Sequence, residues 1–172
     1  MVEASTGAIY HASDSVLARL DRLQDRFASE IGLTEKTAFL KFNLAPLCLR
    51  RDIAMLGMLH KCVLQQAHPK LNDLFRLAQL PPQRITTRTS AARHDKQLVD
   101  IAGSCHLDVV KRSALGLVKV YNLLPQDIVD KRTVKDFQRG LTDMARKLCQ
   151  ADNVFWSTRF SPRQPHHVQL LR

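Results

Sequence analysis

The chain has 172 residues, 45% of them hydrophobic, which is enough to bury a core as one domain or two small subdomains. Its 26 lysine and arginine residues outnumber 16 acidic residues, and the formal net charge of +10 favours an anionic partner. No run approaches the roughly 18 consecutive apolar residues of a membrane helix, and the four widely spaced cysteines argue against a disulfide-rich secreted domain. The composition therefore predicts an intracellular protein, cytoplasmic or nuclear, with no membrane partner.

The first predicted element is an amphipathic helix from Asp14 to about Ile31. Its apolar side chains recur every three or four residues, at Val16, Leu17, Leu20, Leu23, Phe27 and Ile31. Asp14 is the predicted N-cap and Gly32 the predicted C-terminal stop. Thr34 is expected to cap a short second helix that ends near Phe42.

A longer helix is predicted with Pro46 at its first position, where the missing amide hydrogen of proline costs nothing. The buried side of this helix is marked by Leu49, Ile53, Leu56, Leu59 or His60, and Val63. The helix should end before Pro69, and the segment KLNDLFRLA that follows adds one or two helical turns. Residues 8–78 are thus expected to form a subdomain of three or four helices.

Residues 79–110 are predicted to form a basic linker. They begin with two adjacent prolines and many serine and threonine residues, a composition typical of exposed loops. The arginines of this linker are Arg84, Arg88 and Arg93. The segment QLVDIAG, near its end, fits either a short strand or the start of a helix.

Residues 111–156 are predicted to form a helical hairpin. Apolar residues nearly encircle the segment from Arg112 to Leu124, which predicts a well-buried helix. Thr133 followed by Asp136 resembles a capping box at the start of the next helix. The apolar stripe of that helix is Val134, Phe137, Leu141, Met144 or Ala145, and Leu148. Residues 157–172 are expected to be a flexible basic tail, and the fold class is predicted to be an all-α helical bundle.

Several catalytic patterns are missing from the sequence. It has no glycine-rich phosphate loop, no G-x-S-x-G elbow, no H-E-x-x-H motif and no pair of adjacent aspartates that could hold two catalytic cations. A zinc site is disfavoured because no C-x-x-C or zinc-knuckle spacing occurs. The sequence therefore predicts a protein that is not an enzyme and has no metal or cofactor, with the cysteines and His60 in structural roles.

Most of the excess positive charge lies in the second half of the chain. Residues 1–79 contain 10 basic and 8 acidic side chains, whereas residues 80–172 contain 16 and 8. This asymmetry predicts contact with nucleic-acid phosphates. The candidate contacts are Arg84, Arg88, Arg93, Lys111, Arg112, Lys131, Arg132, Lys135 and Arg139.

Two further expectations concern this interface. Asp143 lies four residues from both Arg139 and Lys147, so part of the positive charge should be paired locally. Stacking on bases needs exposed aromatic rings, and Trp156 and Phe160 are the residues that the sequence offers for it.

Five stretches of the chain, taken in order, share the pattern of one known family. VYNLLPQDIVDKRTVKDFQRGL has a helix ending in N-x-L-P and then an S/T-V-x-x-F-(K/Q)-x-x-L helix, and LDRLQDRF has the pattern L-x-x-(V/L)-Q-x-x-F. LAPLCLRRDIAMLGMLHK has the pattern L-x-P-L-x-x-R-R-x-x-x-(M/L)-x-x-(L/I)-(H/Y)-K, and AIYHAS and FSPRQP lie near the two ends. Together they resemble the region after the polymerase core in the reverse transcriptase of jockey-like non-LTR retrotransposons, from about Ala8 to Pro165.

The resemblance implies a reverse transcriptase thumb at residues 8–78 and the helical region that follows it, which together grip the RNA template and the growing DNA strand. The palm aspartates of such enzymes are absent from this sequence, so the implied function is that of a non-catalytic C-terminal fragment. Its implied partners are RNA and DNA, as a hybrid or a template-primer, and the missing polymerase core. The alternative is a helical protein-interaction module, or an inert truncated relic without a ligand of its own.

Overall fold

The structure, a computed structural model, describes residues 6–79, 94–103, 105 and 107–163. Within these residues the chain forms nine α-helices and no strand, which confirms the predicted all-α class. The helices are α1 Thr6–Ile9, α2 Asp14–Glu30, α3 Glu35–Phe42, α4 Leu47–Val63, α5 Pro69–Leu74, α6 Asp108–Lys111, α7 Leu117–Asn122, α8 Gln126–Val129 and α9 Val134–Gln150. None of the helices in the described ranges combines the length and the apolar character needed to cross a bilayer.

The boundary between α2 and α3 follows the predicted capping residues. Gly32 has a φ of +70°, and the amide of Leu33 donates to the carbonyl of Ala28, as in a Schellman motif. The hydroxyl oxygen of Thr34 accepts a 3.1 Å hydrogen bond from the amide of Thr37, so it caps α3 as predicted. The prediction for Asp14 was wrong by one position, because Ser13 holds the N-cap geometry and Asp14 is the first helical residue.

Helices α4 and α9, each 17 residues long, pack against each other at the centre of the fold. From α4 the fully or nearly buried side chains include Leu49, Ile53, Leu56 and Leu59, and from α9 they are Phe137, Leu141, Ala145 and Cys149. Burying one such leucine or phenylalanine side chain is worth roughly 1.5 to 3 kcal/mol. The residues assigned from the sequence to two helical parts, 8–78 and 111–156, thus contribute to one hydrophobic cluster.

Of the single helix predicted from Arg112 to Leu124, only Leu117–Asn122 is helical, as α7; the short helix α6 precedes this range and ends at Lys111. The hydroxyl group of Ser113 donates to the carbonyl of Val110 at 2.7 Å and accepts from the amide of Leu115 at 3.2 Å. Such local bonds from serine to the backbone compete with helical hydrogen bonds, which accounts for the break. The predicted burial of this segment is confirmed, because Leu117, Val118, Val120 and Tyr121 are all buried.

The described end of the predicted linker packs onto α7. The segment QLVDIAG is neither a helix nor a regular strand, since Leu98 forms only an isolated antiparallel bridge with Leu77. The side chain of Asn122 holds it in place by accepting from the amide of Leu98 and donating to its carbonyl, both at 2.8 Å. Leu98 and His94 are buried as a result.

Residues 157–163 differ from the flexible tail predicted for 157–172. Phe160 is fully buried, and Trp156 stacks on Phe39 with ring centroids 5.1 Å apart. The guanidinium group of Arg163 lies over the ring of Tyr10 and donates to the carbonyl of Ala12. Aromatic burial therefore outweighs the polar composition of this segment, while residues 164–172 lie outside the described part.

Candidate nucleic-acid interface

Four of the predicted phosphate contacts lie along one short stretch at the start of α9. Lys131 and Arg132 are exposed in the connection between α8 and α9, and Lys135 and Arg139 are exposed on the first two turns of α9. Lys135 and Arg139 are four residues apart, so they lie on the same helix face about 6 Å apart along its axis. We refer to Lys131, Arg132, Lys135 and Arg139 as the basic rim.

A buried histidine fixes the backbone at the start of the basic rim. The Nε2 atom of His60 lies 2.8 Å from the carbonyl oxygen of Lys131, and its Nδ1 atom lies 2.9 Å from the hydroxyl group of Tyr121. The ring also stacks on Phe137 with centroids 4.1 Å apart. A carbonyl can only accept, so Nε2 carries the proton and Nδ1 accepts from the tyrosine.

Burial lowers the pKa of His60, so the imidazole is neutral at pH 7, as this tautomer requires. The hydrogen bond to the Lys131 carbonyl acts in the opposite direction on the pKa and is the smaller effect. His60 therefore adds no charge beneath the basic rim. Its role is to hold the Lys131 carbonyl in the core while the Lys131 side chain stays in solvent.

The acidic residue next to the basic rim is already paired with a lysine that is not part of the rim. Lys96 donates hydrogen bonds to the carboxylate of Asp130 at 3.0 Å and to the carbonyl of Val129 at 3.1 Å. The hydrogen bonds from Lys96 and Gln126 lower the pKa of Asp130. Because Asp130 is already paired, it does not need Lys131 or Arg132 as a counter-ion.

The second acidic residue near the basic rim, Asp136, is part of the N-terminal cap of α9. The hydroxyl oxygen of Thr133 accepts from the amide of Asp136 at 3.1 Å, and its proton is donated to the Asp136 carboxylate at 2.7 Å. Asp136 also pairs with Arg139 at 3.3 Å, between side chains that are 47% and 63% exposed. Such exposed pairs contribute little, about 0 to 1 kcal/mol, so Arg139 can exchange this partner for a phosphate.

Three cations of the basic rim are left without a protein partner. Within the described residues, the side chains of Lys131, Arg132 and Lys135 make no ion pair and no hydrogen bond. Arg139 pairs with Asp136, and the expected local pairing of Asp143 with Arg139 is not formed. Exposed lysine and arginine side chains in this arrangement can contact successive phosphates without reading bases.

Among the described residues, the predicted contacts Lys111 and Arg112 do not join the basic rim. Lys111 is exposed at the end of α6, with Asp108 at 4.0 Å, and α6 makes no substantial packing contact with α8 or α9. Arg112 is half-buried, and its backbone carbonyl accepts from Arg163. Arg84, Arg88 and Arg93 lie outside the described residues.

The aromatic residues predicted to stack on bases are not available for that role. Trp156 is 9% exposed and Phe160 is fully buried, because both belong to the hydrophobic core. The prediction for these two residues was therefore wrong. A phosphate-backbone contact remains compatible with the described surface, whereas stacking on these rings does not.

Sequence reasoning missed two features of this region. Lys147 was not among the predicted contacts, yet it is exposed two turns after Arg139 on the same face of α9, with the exposed Asp143 between them. The contact between His60 and Lys131 joins residues 71 positions apart, and no local pattern signals it.

A second polar cluster lies between α2, α4 and residues 158–163 and lines a pocket of about 320 Å³. Arg51 donates two hydrogen bonds to the carboxylate of Asp21, at 2.8 and 2.9 Å, and Tyr10 donates to Asp52 at 2.8 Å. Arg163 pairs with Asp14 at the edge of the pocket. All these charged groups have partners, which is the pattern of a structural network.

The cysteine that lines this pocket is not in its reactive form. Cys48 lines it, and burial raises the pKa of the thiol to about 12, so the reactive thiolate is not formed at neutral pH. In the described part of the chain, no group of three or more histidine, cysteine, aspartate or glutamate side chains is placed to hold a metal ion. The basic rim is therefore the best-supported candidate site.

No known protein family, curated protein or solved structure matches this chain. The resemblance to the reverse transcriptase of jockey-like retrotransposons thus rests on the sequence motifs alone and stays a prediction.

Proposed function

We propose that this chain is a non-catalytic module that binds the phosphate backbone of nucleic acid through the basic rim. The observation that carries the proposal is the set of three exposed cations, Lys131, Arg132 and Lys135, that have no partner among the described residues. Of the adjacent carboxylates, that of Asp130 binds Lys96 and that of Asp136 accepts a hydrogen bond in the α9 cap. Positive charge at this edge is thus uncompensated.

The proposed binding is independent of nucleotide sequence. Flexible lysine and arginine side chains on a helix face suit phosphates, while base reading needs donors and acceptors fixed at groove edges or exposed aromatic platforms. The rigid part is the backbone beneath the rim, which is held by His60 and by the Thr133 cap. Flexible cations on a rigid protein backbone can contact a chain of phosphates regardless of the nucleotide sequence.

The ligand implied by the retrotransposon resemblance is an RNA template paired with a DNA strand. We propose this partner class on the residues of the resemblance and on the placement of its N-x-L-P turn and the helix after it. Leu124 and Pro125 of that turn lie just before α8, and Lys135 and Arg139 lie on α9, the helix that corresponds to the S/T-V-x-x-F pattern. This motif of the resemblance therefore carries part of the basic rim.

Fluorescence anisotropy with three labelled ligands, each across a salt series, tests the proposal. The ligands are single-stranded RNA, an RNA–DNA hybrid and duplex DNA of the same sequence. We expect micromolar or tighter binding near 150 mM salt, a linear fall of log K with log salt, and the tightest binding to the hybrid. Loss of all binding at that salt concentration would contradict the proposal and favour the alternative of a helical module without a nucleic-acid ligand.

A further inference from the structure

One face of α2 leaves large apolar side chains in solvent. Val16 is 48% exposed, Leu23 61%, Phe27 54% and Ile31 53%, although the sequence pattern groups them with the buried Leu17. The body of the protein covers only the neighbouring face, through the buried side chains of Leu17 and Ala28. We refer to Val16, Leu20, Leu23, Phe27 and Ile31 as the α2 stripe.

The spacing within the α2 stripe is that of a helix-to-helix seam. Val16, Leu20, Leu23 and Phe27 are separated by four, three and four residues, which is the a/d spacing of a two-heptad coiled coil. The seam is narrow because one side borders the protein itself, where Gln24 donates to the carbonyl of Ala45 and Arg51 binds Asp21. A stripe of this width is covered by one partner helix.

The charge beside the α2 stripe indicates which kind of helix fits. Arg19 and Arg26 border it at the heptad positions that flank a seam, and Arg22 lies on the same side. All three are exposed and form no ion pair within the described residues. Glu30 is the one acidic residue at this border, so the border is net positive and complements glutamate or aspartate on a partner.

We propose that the α2 stripe is a docking surface for an amphipathic helix of another protein, with leucine-type residues facing the stripe and acidic residues facing Arg19, Arg22 and Arg26. The partner is distinct from the nucleic acid proposed for the basic rim. A second copy of this chain would set these arginines against one another in an antiparallel pair. A helix with acidic flanks gains from the same charges.

The test uses the full chain and two synthetic 21-residue helical peptides. Both peptides carry leucine at the a and d positions, and they differ in having glutamate or lysine at the e and g positions. Binding is measured by fluorescence anisotropy at 150 mM salt, with the wild-type chain and with the double variant Leu23→Ser, Phe27→Ser. The double variant Leu107→Ser, Val154→Ser is the matched control, because both residues are exposed apolar residues outside α2.

We expect the glutamate peptide to bind the wild-type chain at least tenfold more tightly than the lysine peptide. The α2 double variant should weaken this binding at least tenfold, and the control variant should not change it. Replacing Arg19→Glu and Arg26→Glu should reverse the preference between the peptides. Equal binding of both peptides, no binding of either, or self-association that the α2 variant abolishes would overturn the proposal.

Discussion

The hydroxyl group of Tyr10 donates a 2.8 Å hydrogen bond to the carboxyl group of Asp52 inside the protein, which joins the end of α1 to α4. Burial is the largest influence on Asp52 and raises its pKa to about 7, although the bond from Tyr10 and the nearby arginines Arg51 and Arg163 act in the opposite direction. Because the ordinary pKa is 3.8, unfolding at pH 5 to 6 releases a proton that the folded protein keeps. Asp52 therefore lowers the free energy of unfolding as pH rises from about 4 to 7, whereas His60 and His94, whose pKa values are lowered by burial, act in the opposite direction.

Asp52→Asn should remove this component of the pH dependence. The amide cannot ionise, so the decrease in the free energy of unfolding between pH 4 and pH 7 should be smaller in the variant, by on the order of a few kcal/mol. Urea denaturation at pH 4, 5.5 and 7 measures it, and the difference between wild type and variant cancels the other titrating groups. Parallel pH profiles for the two proteins would show that Asp52 is ionised throughout.

Tyr121→Phe should destabilise the fold by about 1 to 3 kcal/mol, because it leaves the buried Nδ1 atom of His60 without its donor. The phenyl ring keeps the packing of Tyr121 in the core, so the loss reports the hydroxyl group. A double-mutant cycle with His60→Leu measures the coupling of the two side chains, which should be about 0.5 kcal/mol or more. Additive effects of the two substitutions would rule the coupling out.

Gly116→Ala should be strongly destabilising, by about 2 kcal/mol or more. A β-carbon at this position would overlap the backbone carbonyl of Lys111, which cannot rotate away as a side chain can. Gly7→Ala is the matched control, since nothing lies within 4 Å of its added carbon and alanine is the better helix former. Thermal unfolding followed by circular dichroism should show a lower midpoint for Gly116→Ala alone, and equal midpoints would contradict the packing of the turn.

Local sequence signals correctly predicted the end of α2 and the starts of α3 and α9. The stop at Gly32 and the caps at Thr34 and Thr133 depend on residues within one turn, so the sequence contains all the information. The stripe of α9 was equally clear, because a helix with one buried face has a single strong period.

The errors have a common physical origin in contacts between distant residues. Helix α2 is amphipathic, yet the periodicity of its sequence cannot tell whether the apolar face packs against the same chain or against another molecule. Trp156 and Phe160 lie in a segment of polar composition, and only the presence of Phe39 and the core explains their burial. For the basic rim, the sequence showed the positive charge, while the pairing of the nearby carboxylates required the fold.

The proposed role of the basic rim is tested most directly by two triple variants of equal charge. Lys131→Ala, Arg132→Ala, Lys135→Ala removes three cations from the rim, and Arg19→Ala, Arg22→Ala, Arg26→Ala removes three exposed cations from α2. Anisotropy of labelled single-stranded RNA across a salt series gives the slope of log K against log salt for each protein. We predict that the rim variant loses up to about two slope units while the α2 variant keeps the wild-type slope. Equal losses in both variants would show that the RNA responds to net charge alone and would contradict a phosphate site at the basic rim.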